Sequence, residues 1–208
     1  MKTRSYFRGV HLVVLIALLA LVSGGCGSLT TPRVNVPKVD AQSAAAEAIV
    51  LYDKDSDTQL NDTELAACPA INNARARYDT NKDGKVSQDE IAQRLQQIFP
   101  AGIGVIEFHC TVMRGGRPLD GATVRFVPEP FLGDAIQPAT GTTDSSGGVS
   151  PTISPDQLPE NLRKASVMQA GLYRVEIEHP SLPAANKKLF GVEVDPTSRG
   201  AATAQFNL

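Results

Sequence analysis

Asp79 to Glu90 reads DTNKDGKVSQDE and sets oxygen-bearing side chains at positions one, three, five and nine of a twelve-residue loop: Asp79, Asn81, Asp83 and Ser87. Gly84 stands at position six and Glu90 at position twelve. Calcium takes about six to eight oxygens at roughly 2.3–2.6 Å, and this spacing wraps one loop around one ion. Gly84 permits the sharp turn because it has no Cβ to clash at positive φ. Lys85, at position seven, would lend only its backbone carbonyl, so its charge can point away. Glu90 would close the shell with both carboxylate oxygens as the next helix begins.

Asp53 to Glu64, DKDSDTQLNDTE, repeats the arrangement with carboxylates at positions one, three, five and twelve: Asp53, Asp55, Asp57 and Glu64. Gln59 would give a backbone carbonyl, and Asn61 occupies position nine, where a bridging water is common. Thr58 stands where glycine is expected. A β-branched residue held at positive φ costs about 1–2 kcal/mol, or about tenfold in affinity. Five acids against one lysine in this loop partly offset that cost. Two calcium sites are therefore expected, with the first loop the weaker.

These loops need helices to hold them. Ile49 and Tyr52 lie three apart just before Asp53, which predicts an incoming helix. Fourteen residues, Leu65 to Tyr78, separate the loops. Pro69 divides them, because the residue before a proline leaves the α region while proline itself suits a first helical turn. One helix should stop near Cys68 and another start near Pro69, with Ile71, Ala74 and Tyr78 on one face. After the second loop, Ile91, Leu95 and Ile98 share a face. This pattern resembles compact EF-hand pairs, also seen in dockerin-like modules, over about residues 44–99. The resemblance implies a short antiparallel bridge between Leu60 and Val86, at position eight of each loop. All three methionines, Met1, Met113 and Met168, fall outside this segment. A calcium switch exposes an apolar, usually Met-rich groove, so the expected calcium is structural.

The chain of 208 residues opens with a leader. Lys2, Arg4 and Arg8 precede an apolar run from Val10 to Val22, then Ser23-Gly24-Gly25-Cys26-Gly27. Thirteen residues are short for a membrane span, and the pattern is that of a secretory signal peptide. The small residues before Cys26 resemble a bacterial lipobox, although Ser23 stands where leucine is usual. The resemblance implies a lipidated Cys26 that anchors an exported protein to a membrane of the cell envelope, on the periplasmic or surface side. Pro32 and Pro37 then mark an extended spacer.

From Ile103 the period falls to two. Phe108, Cys110 and Val112 alternate with polar neighbours, as do Val124 and Phe126, then Tyr173, Val175 and Ile177, then Phe190, Val192 and Val194. Gly-, Pro- and Asp-rich clusters separate these runs. The expected fold class is α+β in two domains: a small all-α EF-hand pair, then an antiparallel Ig-like or prealbumin-like β-sandwich. The expected boundaries are 1–25 for the signal peptide, 26–40 for the linker, 41–99 for the helical pair and 100–208 for the sandwich. GRPLDGATVRFVPE, TGTTDSSGG and AGLYRVEIEH resemble the carboxypeptidase regulatory-like and transthyretin-like domains of bacterial surface proteins. The whole combination resembles small secreted lipoproteins of environmental bacteria such as planctomycetes.

No catalytic constellation emerges. One transthyretin-like branch, hydroxyisourate hydrolase, ends in Tyr-Arg-Gly-Ser, whereas this chain ends Gln205-Phe206-Asn207-Leu208. His109 and His179 are expected at the surface, and Asp144 with Ser145 and Ser146 reads as a turn. A net charge of −2 without a basic cluster argues against nucleic acid. Cys68 and Cys110 leave two readings open, a disulfide stapling the helices to the first strand or buried free thiols. The expected function is a non-enzymatic calcium-binding lipoprotein whose sandwich contacts a protein or polysaccharide. Its alternative is an accessory subunit of an exported enzyme or transport assembly, docked through the helical pair.

Overall fold

An alanine-rich stretch with few branched side chains forms helix α1, Ala41–Tyr52, whose N-terminus is capped by Asp40 accepting the Ser43 N–H at 2.7 Å. Ala44, Ala45, Ala48, Ile49 and Tyr52 make its buried face. The first loop leads through strand β1 (Gln59–Leu60) to a single turn, α2 (Asp62–Leu65). Helix α3 (Pro69–Asn73) begins with its proline in the first turn and Cys68 as N-cap, so the break falls where Pro69 requires it. The chain then tightens into a 3-10 turn, Arg75–Arg77. Ile71 and Tyr78 are fully buried, but Ala74 is only half-buried. The single helical face expected for these three is thus split across two turns. Asn72 and Asn73 favour local turns over helix, and Ala74 leaves the helical region at φ −100°, ψ 11°. Strand β2 (Val86–Ser87) and helix α4 (Gln88–Ile98) complete the helical half, with Ile91, Leu95 and Ile98 buried on one face.

The computed structural model describes residues 36–99, 102–182, 189–197 and 202–208. The leader and Cys26 lie outside the described residues, and no described helix is long and apolar enough to cross a membrane.

Beyond Gly102 the chain is β. Strands β3 (Phe108–Arg114), β4 (Arg117–Pro118), β5 (Thr123–Pro128), β6 (Ala139–Thr142), β7 (Gly148–Val149), β8 (Thr152–Ile153), β9 (Gly171–Glu178), β10 (Phe190–Val194) and β11 (Ala202–Asn207) form two sheets. One is antiparallel in the order β10-β9-β5-β6-β8, and the other runs β11-β3-β4 with β7 also on β3. The second sheet departs from the expected antiparallel pattern, since β11 lies parallel to β3 with Ala204 opposite Cys110. Parallel neighbours require a long crossover, and here almost the whole β half of the chain supplies it. Between the sheets Phe126 meets Phe108, Tyr173 and Phe206 edge-on, at ring separations of 5.6, 6.2 and 6.3 Å.

The larger sheet is covered on its other face as well. Phe190 of β10 meets Phe206 inside the sandwich at 5.4 Å, so its alternate neighbours Gly191 and Glu193 face the helices. Both are buried there. Layers therefore run helices, five-stranded sheet, smaller sheet, and the described residues cluster as one compact unit. The approach is closest at Gly191, where an added Cβ would fall 2.1 Å from the Pro69 carbonyl carbon and 2.2 Å from the Ala70 nitrogen. Backbone on both sides leaves no flexible atom to give way. Gly191→Ala should lower unfolding stability by about 1–3 kcal/mol or more, as overpacking does. Denaturant titration checks this, and an unchanged midpoint would contradict backbone contact between α3 and β10.

Candidate metal centre

Both loops close by the same hydrogen bonds. In the first, Glu64 Oε1 accepts the N–H of Lys54 at 2.6 Å and of Asp55 at 3.4 Å, while Oε2 accepts that of Asn61 at 2.9 Å. In the second, Glu90 Oε1 accepts from Thr80 at 2.9 Å and Asn81 at 3.4 Å, and Oε2 from Ser87 at 2.9 Å. The carboxylate at position one holds the N–H of position six, from Thr58 to Asp53 at 2.9 Å and from Gly84 to Asp79 at 3.1 Å. Position five holds that of position seven, from Gln59 to Asp57 at 2.9 Å and from Lys85 to Asp83 at 2.8 Å. Asn61 and Ser87 close capping boxes with Glu64 and Glu90, so their side chains serve helix starts.

Backbone geometry follows the same repeat. Gly84 has φ 86° and Thr58 φ 66°, so the threonine does adopt the left-handed conformation. Ser56 and Lys82, both at position four, also take it, at 63° and 61°. The position-eight residues Leu60 and Val86 pair across an antiparallel bridge, with Gln59 opposite Ser87. Back-to-back loops result.

The side chains of the two loops differ. Asp53, Asp55 and Asp57 bring carboxylate oxygens within 4.8 Å of one another, so this acidic cluster could coordinate a divalent ion. In the second loop position three is the neutral Asn81, whose side-chain amide donates to Asp83 Oδ2 at 2.9 Å, and among the described residues only the first loop forms such a carboxylate cluster. Asp79 Oδ1 of the second loop is buried without a hydrogen-bond partner, whereas Asp53 Oδ1 accepts the Ser56 N–H at 2.7 Å. An orphaned carboxylate oxygen in an all-oxygen loop fits a hard cation such as calcium. Burial works against ionisation of Glu90, but hydrogen bonds from Ser87, Thr80 and Asn81 outweigh it and hold its pKa below the usual value. Lys85 does not point away. Its ammonium ion-pairs with Asp57 of the first loop, because the Gln59–Ser87 pairing sets the loops side by side. Arg75 spans them too, from the Asp62 carboxylate to the Gly84 carbonyl. Neither cross-loop cation has a sequence signal, since each partner is remote along the chain.

Helices and sheet share buried charges beside this centre. Glu129, with no exposure, accepts the Tyr52 hydroxyl at 3.0 Å and the Ala70 N–H at 3.4 Å, and stands 3.5 Å from Arg174 Nε. Burial pushes its pKa up against those partners. The neighbouring Tyr52 hydroxyl and Cys68 thiol are pushed up by burial and by Glu129. From α4, Arg94 binds Glu193 of β10 at 2.5 and 3.2 Å and Asp195 just beyond that strand at 2.7 Å, while Arg77 donates to Glu193 at 2.7 Å.

Cys68 and Cys110 are both free and buried, which resolves the two readings left open by the sequence. Burial raises the Cys110 thiol to about 12. His109 is exposed, with Nδ1 3.2 Å from Ser150 Oγ, and His179 contacts Ser181 at 2.7 Å. Asp144 accepts the Ser146 hydroxyl at 2.6 Å and the N–H groups of Ser146 and Gly148 at 2.8 and 3.0 Å, closing a turn.

No protein-family model and no curated protein matches the chain. Solved structures similar to it include a DUF3823 family protein from Parabacteroides merdae, at 12% identity and TM-score 0.33, covering 50% of this chain and 45% of that one. Transthyretin from Sparus aurata gives 20% identity and TM-score 0.32, covering 49% and 86%. The Bacillus anthracis TIE protein gives 19% and 0.27, covering 49% and 16%. This chain spans less than half of the Parabacteroides protein, and likeness this loose carries no argument about activity or ligand.

The Glu129 shift sets a sign for pH. A raised folded pKa means that the native state binds its proton first, so stability falls as pH rises through that value and grows as pH drops toward the ordinary carboxylate range. Wild type should therefore gain stability relative to Glu129→Gln on acidification from pH 7 to about 5. Paired urea titrations at the two pH values measure the difference. A gap that is constant or narrows the other way would refute the assignment.

Proposed function

We propose that this chain is a non-enzymatic, calcium-binding exported lipoprotein. In this reading its helical half is an EF-hand pair with one calcium in each loop, bound mainly as a structural part. The observation that carries it is the loop repeat. The twelfth-position glutamate accepts N–H groups from positions two, three and nine in both loops, at 2.6–3.4 Å. Asp79 Oδ1, buried and unpartnered, supplies the group that a cation would satisfy.

The leader ahead of Cys26 supports export and a lipid anchor, and the sandwich would then contact a protein or glycan at the cell envelope. Calcium is abundant outside the cytoplasm, and extracellular modules bind it at about 10⁻⁴–10⁻³ M. Ion binding and folding are coupled when ligand charges repel one another without the ion. Isothermal calorimetry with calcium should give two sites in the wild type and one each in Glu64→Gln and Glu90→Gln. Excess chelator should lower the thermal midpoint of the wild type. A chain that binds no calcium, or whose midpoint ignores chelation, would sink the proposal.

A further inference from the structure

We infer that Lys85 is an internal counter-cation of the first loop, which the second loop supplies and which sets the first loop's affinity for a divalent ion. The inference rests on the calcium reading above and concerns a side chain that the repeat itself does not explain. Lys85 occupies position seven of the second loop, where only its carbonyl is called upon. Its backbone N–H donates to Asp83 Oδ1 at 2.8 Å, in its own loop. Its ammonium leaves that loop and pairs with Asp57 Oδ2, at position five of the other.

The arrangement is one-sided. Because Gln59, at position seven, lies opposite Ser87, at position nine, and Leu60 opposite Val86, the loops run side by side, and the long Lys85 side chain carries its ammonium to Asp57 of the neighbour. The equivalent residue in the first loop is Gln59, which carries no charge. Position seven of the first loop thus offers Asp83 no matching cation, and Asp83 Oδ2 accepts the Asn81 side-chain amide at 2.9 Å. Asp57 belongs to the trio of clustered carboxylates, so Lys85 neutralises the group that a divalent ion would use. One oxygen cannot keep a contact ion pair and coordinate an ion without loss, and the ammonium repels the incoming charge. The other cations of the region lack this placement. Arg75 takes Asp62, at position ten, and Lys54 donates to the Leu51 carbonyl at 3.1 Å. Asp57 and Lys85 are both only part-buried, so the pair opens without disturbing a core.

Calorimetry on the full chain carrying Glu90→Gln reads the first loop alone. Adding Lys85→Gln, which keeps the backbone carbonyl, should tighten calcium binding roughly three- to tenfold near 0.1 M salt, the scale of one screened unit charge a few ångströms from the ion. Adding Lys54→Gln instead removes the same charge from the loop and should change affinity by less than about twofold. Lys85→Gln without effect, or an equal effect of Lys54→Gln, overturns the inference while leaving the calcium reading standing. Absence of saturable binding in both the wild type and Glu90→Gln overturns that reading and the inference with it.

Discussion

A carboxylate with no solvent exposure, Glu129, sits where three segments meet, and the packing of helices on sheet is built around keeping it partnered. An isolated buried charge is costly, so every group that satisfies it is fixed in place. Tyr52 comes from the end of α1, Ala70 from the start of α3, and Arg174 from β9. Moving any of these elements alone would strip a partner from a charge that water cannot reach. Glu193 repeats the device on β10, held by Arg94 from α4 and Arg77 from the 3-10 turn. Between the two acids, Gly191 lets α3 approach the strand to backbone contact.

This framework bears on what a cation in the loops can do. Tyr52 immediately precedes Asp53, and Arg94 lies on the helix that leaves the second loop. The outer helices of the pair are thus tied to one sheet, α1 through Glu129 and α4 through Glu193 and Asp195. Opening a groove for a target requires the helices on either side of a loop to swing apart. Here a swing would strip a hydrogen bond from the buried Glu129 on the α1 side or break the buried Arg94 ion pairs on the α4 side, and either is unfavourable. A cation would relieve repulsion among the loop carboxylates and leave the helices where the sheet holds them.

Much of the loop architecture is legible because it is local. Within twelve consecutive residues lie the carboxylate-to-backbone hydrogen bonds that close each loop, and Thr58 shows that the pattern survives a residue unsuited to its φ. The break at Pro69 follows from one steric rule and falls where that rule puts it. Strands β3, β5, β9 and β10 follow from alternation. What the sequence hides is pairing over long distances. Nothing in ATAQFNL distinguishes a parallel partner from an antiparallel one, and nothing near Lys85 names Asp57. The left-handed Ser56 and Lys82 were also hidden, since neither residue type advertises a positive φ.

Glu129, Gly191 and Glu193 escaped for a more general reason. Period-two alternation assigns one face of a strand to the core and the other to water, so Glu193 between Val192 and Val194 reads as solvent-facing. That inference presumes a two-layer sandwich. When helices cover the outer face, a polar residue there becomes a buried charge and a glycine becomes a contact point. The shift from Ala-rich to Val-rich sequence near Phe99 falls where the helical region gives way to the β region. The buried hydrophobic residues from Ala44 in α1 to Phe206 in β11 belong to one continuous cluster. The change in composition therefore marks where helix gives way to strand, while the core runs through it unbroken.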